Sequence, residues 1–159
     1  MQRRFALLAL AAATLAGGCA TTPAPASVAD TIARDPQLST LNGLVQKAGL
    51  AETLKAAGPY TVFAPTNDAF SKMPAKVLEE LQRDPARLRS VLTYHVLPGK
   101  FLAADVKPGH AKTAHGANLA LAKAGTFVTV EDAMVQTADI AAGNGVIHTV
   151  DRVLLPPAR

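Results

Sequence analysis

At Tyr94 the spacing of the apolar residues shortens from every third or fourth position to every second, so the chain places helices first and strands afterwards. Ahead of that switch, Leu41, Leu44, Val45 and Ala48 fall at i, i+3, i+4 and i+7, one apolar face of a helix. Ser39 stands as its cap, with a hydroxyl that can accept from first-turn amides. Gly49 suits the left-handed closing position, and Leu50 is placed to fold back. A short helix over 51–57 stops at Gly58-Pro59, and Tyr60–Ala64 is a β-prone run closed by Pro65. Thr66 or Asn67 caps the turn Asp68-Ala69-Phe70, where Asp68 suits the positive end of the helix dipole. From Pro74, Val77, Leu78 and Leu81 mark another helix. Asp84 then caps and Pro85 restarts a further one, carrying Leu88, Val91 and Leu92. The charges from Glu79 to Arg89 form its solvated face. Beyond Tyr94, strands are predicted over 100–106, 117–122, 126–131, 133–138 and 146–154, separated by Pro-Gly and Gly-Asn-Gly punctuation. Helices followed by strands predict an α+β fold, an antiparallel sheet with helices packed to one side.

The chain is 49% apolar and 18% charged, which suits one globular domain and excludes a disordered acidic tail or a long coiled coil. Thirty-two residues are alanine, so the core holds fewer large side chains than that fraction suggests. Met1-Gln-Arg-Arg4 followed by an uncharged run over 5–16 has the form of a bacterial export signal, too short to span a bilayer. The single cysteine, in Leu15-Ala16-Gly17-Gly18-Cys19, resembles the lipobox of bacterial lipoproteins, with Ala16 where leucine is usual. The resemblance implies cleavage before Cys19 and its lipidation, anchoring the domain to the outer or inner membrane and facing the periplasm or cell surface. Release as a secreted domain is the alternative. The expected organisation is an export signal over 1–18, a flexible tether over 19–27, a folded domain over 28–156 and a tail over 157–159. Without Arg3 and Arg4 the side-chain charge is +2, and no nucleic-acid partner is expected.

Three segments resemble the fasciclin (FAS1) domain family. Tyr60-Thr-Val-Phe-Ala-Pro-Thr-Asn-Asp-Ala-Phe70 is similar to its first homology block, through Thr61, Phe63, Pro65, Thr66, Asn67, Asp68 and Phe70. Leu92-Thr-Tyr-His-Val-Leu-Pro-Gly99 is similar to its Tyr-His motif. The run Asn144 to Pro156 is similar to its second block, through Asn144, Gly145, His148 and Asp151. The resemblance implies a wedge-shaped β-sandwich with a helix cluster, and a non-catalytic role in adhesion or matrix contact. It also implies candidate binding positions at Tyr94, His95, Asp139 and Ile140, which match segments linked to integrin binding in animal relatives.

Those positions carry two readings each. Tyr94 and His95 either pack and satisfy loop carbonyls or contact a ligand. His148 reads as a hydrogen-bonded histidine within a strand, Asn67 and Asp68 as turn residues, and Asp151 as a partner for Arg152 or another base. Catalytic signatures are missing: none of the four serines stands in a Gly-x-Ser-x-Gly elbow, and no phosphate-cradling glycine loop occurs. One cysteine makes neither an intrachain disulfide nor a multi-cysteine metal site, and His110 and His115 lack nearby carboxylates. No metal or cofactor is expected. The lack of Trp argues against a sugar platform or base-stacking surface. The leading expectation is a monomeric envelope module that touches an envelope, matrix or host-surface protein or polysaccharide. A carrier or sensor of a small apolar ligand is the alternative, and a hydrolase with a site assembled from distant segments comes third.

Overall fold

The computed structural model describes residues 25–157; the export signal, Cys19 and most of the 19–27 tether lie outside the described residues. The first element is a helix absent from the sequence reading, α1 (Val28–Arg34). Ser27 and Asp30 form a reciprocal capping box at its start, and Val28, Ala29 and Ile32 are buried. A 3-10 turn at Pro36–Leu38, capped by Asp35, runs straight into α2 (Ser39–Lys47). Ser39 is therefore the first helical residue and caps nothing. The cap comes from 27 residues away: Asn67 Oδ1 accepts from the Thr40 amide at 3.1 Å. At the other end Gly49 adopts φ +68°, and Leu50 N–H returns to the Val45 carbonyl at 3.0 Å. α3 (Ala51–Lys55) precedes β1 (Tyr60–Pro65). α4 (Asn67–Ser71) is capped by Thr66 through Ala69 N–H. α5 (Ala75–Arg83) and α6 (Pro85–Tyr94) meet at Asp84, whose carboxylate accepts from Ala86 and Arg87.

Six more strands complete one sheet: β2 (Val96–Pro98), β3 (Gly109–Lys112), β4 (Asn118–Ala124), β5 (Phe127–Val130), β6 (Ala133–Ala142) and β7 (Gly145–Val150). Their order is β2-β1-β7-β6-β5-β4-β3. The sheet is mixed, not purely antiparallel: β1 and β7 run parallel over six pairs, Tyr60–Gly145 to Pro65–Val150. The expected strand over 100–106 is an irregular loop. β2 ends at Pro98, Gly99 takes φ +114°, and side chains satisfy the following backbone groups in place of a ladder. β3 appears where a loop was expected, and β7 stops at Val150 before a bend at Asp151 and Arg152. β6 continues to Ala142 past two register shifts that break its alternation, with Asp139 inside the second at φ +58°.

Two apolar cores lie on opposite faces of the β1–β7 pair. Helix residues Val28, Ile32, Leu41, Leu54 and Leu92 pack with Val62 and Ile147 on one face. Phe63, Tyr94, Leu97, Leu119, Val130 and Val150 fill the space inside the curled sheet. β7 is buried along its whole length, so its sequence alternates only in part. The sheet curls far enough for Ala114 N–H to donate to the Val96 carbonyl at 2.8 Å, which makes the wedge almost closed.

Asn144, in the β6–β7 turn, holds the two layers together. Its Oδ1 accepts from Val28 N–H at 2.7 Å, and its Nδ2 donates to the carbonyls of Leu54 (2.8 Å) and Ala56 (2.7 Å). Glycine flanks it because the backbones nearly touch: a Cβ on Gly145 would run into the Tyr60 carbonyl oxygen. Asn144→Ala orphans one amide and two carbonyls, so a loss of about 2–4 kcal/mol is expected in urea unfolding. A loss below about 0.5 kcal/mol would mean that water replaces the amide in full.

Candidate functional site

Tyr94 and His95 end α6 and are both 2% exposed. The Tyr94 hydroxyl donates toward the Asn118 carbonyl (3.1 Å) and the Glu131 carboxylate (3.2 Å). Burial, then the Glu131 charge, pushes its pKa up to about 12. His95 Nε2 accepts from the Leu154 amide at 3.0 Å, which leaves Nδ1–H to donate to the Val91 carbonyl at 2.8 Å. Burial holds this ring neutral, with its pKa lowered to about 4. Both side chains are inside the protein, out of reach of a macromolecular partner in this conformation.

Asp139 and Ile140 lie across the sheet on the bulged part of β6. Ile140 packs against the helix-side core. Asp139 joins a cluster that pins the loop over 99–108. Its carboxylate accepts from Ala103 N–H (2.8 Å), while its own N–H donates to His148 Nδ1 (3.1 Å). His148 Nε2–H therefore donates to the Phe101 carbonyl at 2.8 Å, and its ring stacks on Phe63 at 5.5 Å. Burial lowers the His148 pKa, against smaller raising effects of the Phe101 carbonyl and Asp139. Thr61 donates to the Gly99 carbonyl and accepts from Phe101 N–H, and Lys123 Nζ bridges the carbonyls of Ala103 and Ala104. The Glu131 and Lys123 partnerships escaped the sequence reading, for Glu131 meets the Tyr94 hydroxyl and the Ala120 amide, and Lys123 the carbonyls of Ala103 and Ala104, all of them distant along the chain.

The remaining motif residues are joints. Asn67 links the starts of α2 and α4, and Asp68 is exposed. Asp151 accepts from Met134 N–H at 2.7 Å and faces Lys72 at 3.7 Å, not Arg152. Every ring nitrogen of His95 and His148 is occupied by a backbone group, so neither has a lone pair or proton to offer a substrate. Among the described residues no three His, Cys, Asp or Glu side chains gather where they could hold a metal ion.

What the pinned loop offers is surface. Between it and β3 lies an open groove of about 700 Å³, with Lys100, Phe101, Asp105 and Lys107 on the loop side and His110 and Leu121 on the strand side. A second space, of about 70 Å³ and with apolar walls, lies between the helices and the sheet, lined by Ile32, Leu41, Leu54, Val62 and His95 among others.

The fasciclin domain model matches residues 36–156. Protein sll1483 of Synechocystis is 43% identical over 140 residues, covering 87% of this chain and 78% of the relative. The cell surface glycolipoprotein MPB83 of Mycobacterium bovis is 36% identical over 137 residues, covering 83% of this chain and 61% of that protein. A solved fasciclin domain pair from the insect cell adhesion molecule fasciclin I aligns with TM-score 0.69 at 15% identity, over 82% of this chain and 51% of that one. Motifs, architecture and relatives agree, and the chain belongs to the fasciclin domain family.

Proposed function

We propose that this chain is a non-catalytic contact module of the cell envelope, held there by a lipid on Cys19 and engaging a protein or polysaccharide through the surface of a rigid domain. The observation that carries this reading is the fasciclin match over most of the chain, together with relatives named for cell-surface and adhesive settings. The use of every His95 and His148 ring nitrogen in fold-internal bonds supports it, since a catalytic histidine needs a free one. Crosslinking on intact cells followed by capture of this chain tests the reading: a partner recovered above background supports it, and turnover of a substrate that follows the purified chain overturns it. The anchor has its own test. Cys19→Ala is expected to move the protein from the membrane fraction to the soluble one and to abolish acyl labelling. A variant that fractionates as the parent does would remove the lipid from the proposal.

The apolar space between helices and sheet favours a second reading, a carrier of a small apolar ligand. Its 70 Å³ is about half of the engineered 150 Å³ cavity that accepts benzene, so α2 and α3 would have to part to admit one. Native mass spectrometry of protein taken from its own envelope separates the readings, because only a carrier retains ligand mass.

A further inference from the structure

We infer that the outer edge of β3 is a docking strand for an extended, acidic segment of a partner protein. This deepens the contact-module reading and rests on it for the existence of a partner. Among the described residues β3 pairs with β4 alone, in the register Gly109–Leu121 to Lys112–Asn118. The same register places Thr113 opposite Ala117, and Thr113 N–H donates to the Ala117 carbonyl. Antiparallel ladders alternate bonded and open pairs, so Gly109 and Ala111 turn their amides toward β4, while His110 and Lys112 turn theirs outward. Ala114, the next residue of the outward set, confirms the parity by donating to the Val96 carbonyl across the gap. That bond is where the sheet nearly closes; at His110 and Lys112 the outward amides and carbonyls have no partner among the described residues. The opposite end of the sheet is blunted, because of the two outward residues of β2 Pro98 has no N–H and Val96 already gives its carbonyl to Ala114.

Beside this open edge runs the groove, and its charge selects the occupant. Lys100 and Lys107 line it and Lys112 stands at the end of β3; all three are exposed and enter none of the salt bridges among the described residues. Asp105 is the one carboxylate among the described residues that line the groove. A strand laid along β3 exchanges backbone bonds with His110 and Lys112, sets acidic side chains beside these lysines, and directs an alternate apolar side chain between Phe101 and Leu121. The bonds to Thr61, His148, Asp139 and Lys123 hold the loop back and keep the groove open before a partner arrives.

The test uses the ¹⁵N-labelled full chain and a capped heptapeptide, Glu-Thr-Glu-Val-Glu-Thr-Glu, with the same peptide carrying Lys for each Glu as control. Saturable amide shifts and slowed hydrogen exchange centred on His110 and Lys112 are expected with the acidic peptide alone. Lys107→Glu is expected to weaken binding roughly tenfold. His110→Pro, which deletes an outward donor and leaves the β4 ladder intact, is expected to abolish it. Should that variant not fold, the charge reversal still decides. No saturable shift at millimolar peptide, shifts that map away from β3, or equal binding of the Lys peptide overturns the assignment. An envelope partner captured undiminished by both variants would leave the contact-module reading standing and remove the edge.

Discussion

Lowering the pH from neutral to 4 is expected to cost this domain on the order of 3 kcal/mol through His95 alone. In the unfolded chain this imidazole titrates near 6.5, whereas in the folded protein it stays neutral until about pH 4. Between those values the unfolded state binds a proton that the native state refuses, so stability is complete above 6.5 and drains away as the pH falls. The refusal has a structural cause. Protonating His95 would require a hydrogen on Nε2, where the Leu154 amide already points its own, in a site closed to water. His148 acts in the same direction, since its Nδ1 accepts from Asp139 N–H and its burial lowers its pKa as well. At the alkaline end the sign reverses: Tyr94 keeps its proton to about pH 12 when folded but loses it near 10 when unfolded, so stability falls again above 10. Urea unfolding across this range should trace a plateau with two shoulders. A His95 ring that titrates near 6.5 by NMR in the native protein would sink the acid half of this account.

Phe63→Ala is expected to destabilise the domain by about 3–5 kcal/mol. Phe63 is 1% exposed at the centre of β1, packs with Tyr94 and Leu97 in the inner core, and supports the His148 ring on its face. Removing it empties a ring-sized volume that the surrounding strands are too constrained to fill, because β1 is paired on both sides. It also frees His148 to tilt away from the Phe101 carbonyl, so faster amide exchange in the loop over 99–108 should accompany the lost stability. Calorimetry reads the first effect and exchange the second; a melting midpoint within a degree or two of the parent would contradict the packing described above.

The helices from α2 onward and most strands were legible because local rules produce them. Asp84-Pro85, Gly49-Leu50 and the apolar spacing act over a few residues and need no tertiary information. What escaped was non-local or weakly marked. α1 is nearly all small or polar apart from Val28 and Ile32, and only its Ser27–Asp30 capping box could have announced it. β3 contains no β-branched residue and is a strand because β4 supplies its ladder. Ser39 looks like a cap by itself, but the preceding 3-10 turn moves it one position into the helix and Asn67 takes over. The loop over 99–108 alternates like a strand, yet its hydrogen bonds go to Thr61, Asp139, His148 and Lys123, which no local pattern could reveal. The motif residues were found as residues. That Tyr94 and His95 point inward is knowledge that only the packing supplies.

The Asn144 joint also decides how the domain meets mechanical load. A pull on the N-terminus arrives at Ala26, whose carbonyl accepts from Gly143 N–H, and then at Val28, whose amide is clamped by Asn144. Tension is thus met by the turn that begins β7, a central strand flanked on both sides, and not by an edge strand that could be unzipped. Under traction α1 is expected to peel off that turn first, with the parallel β1–β7 pair behind it still in register and the outer surfaces still in shape.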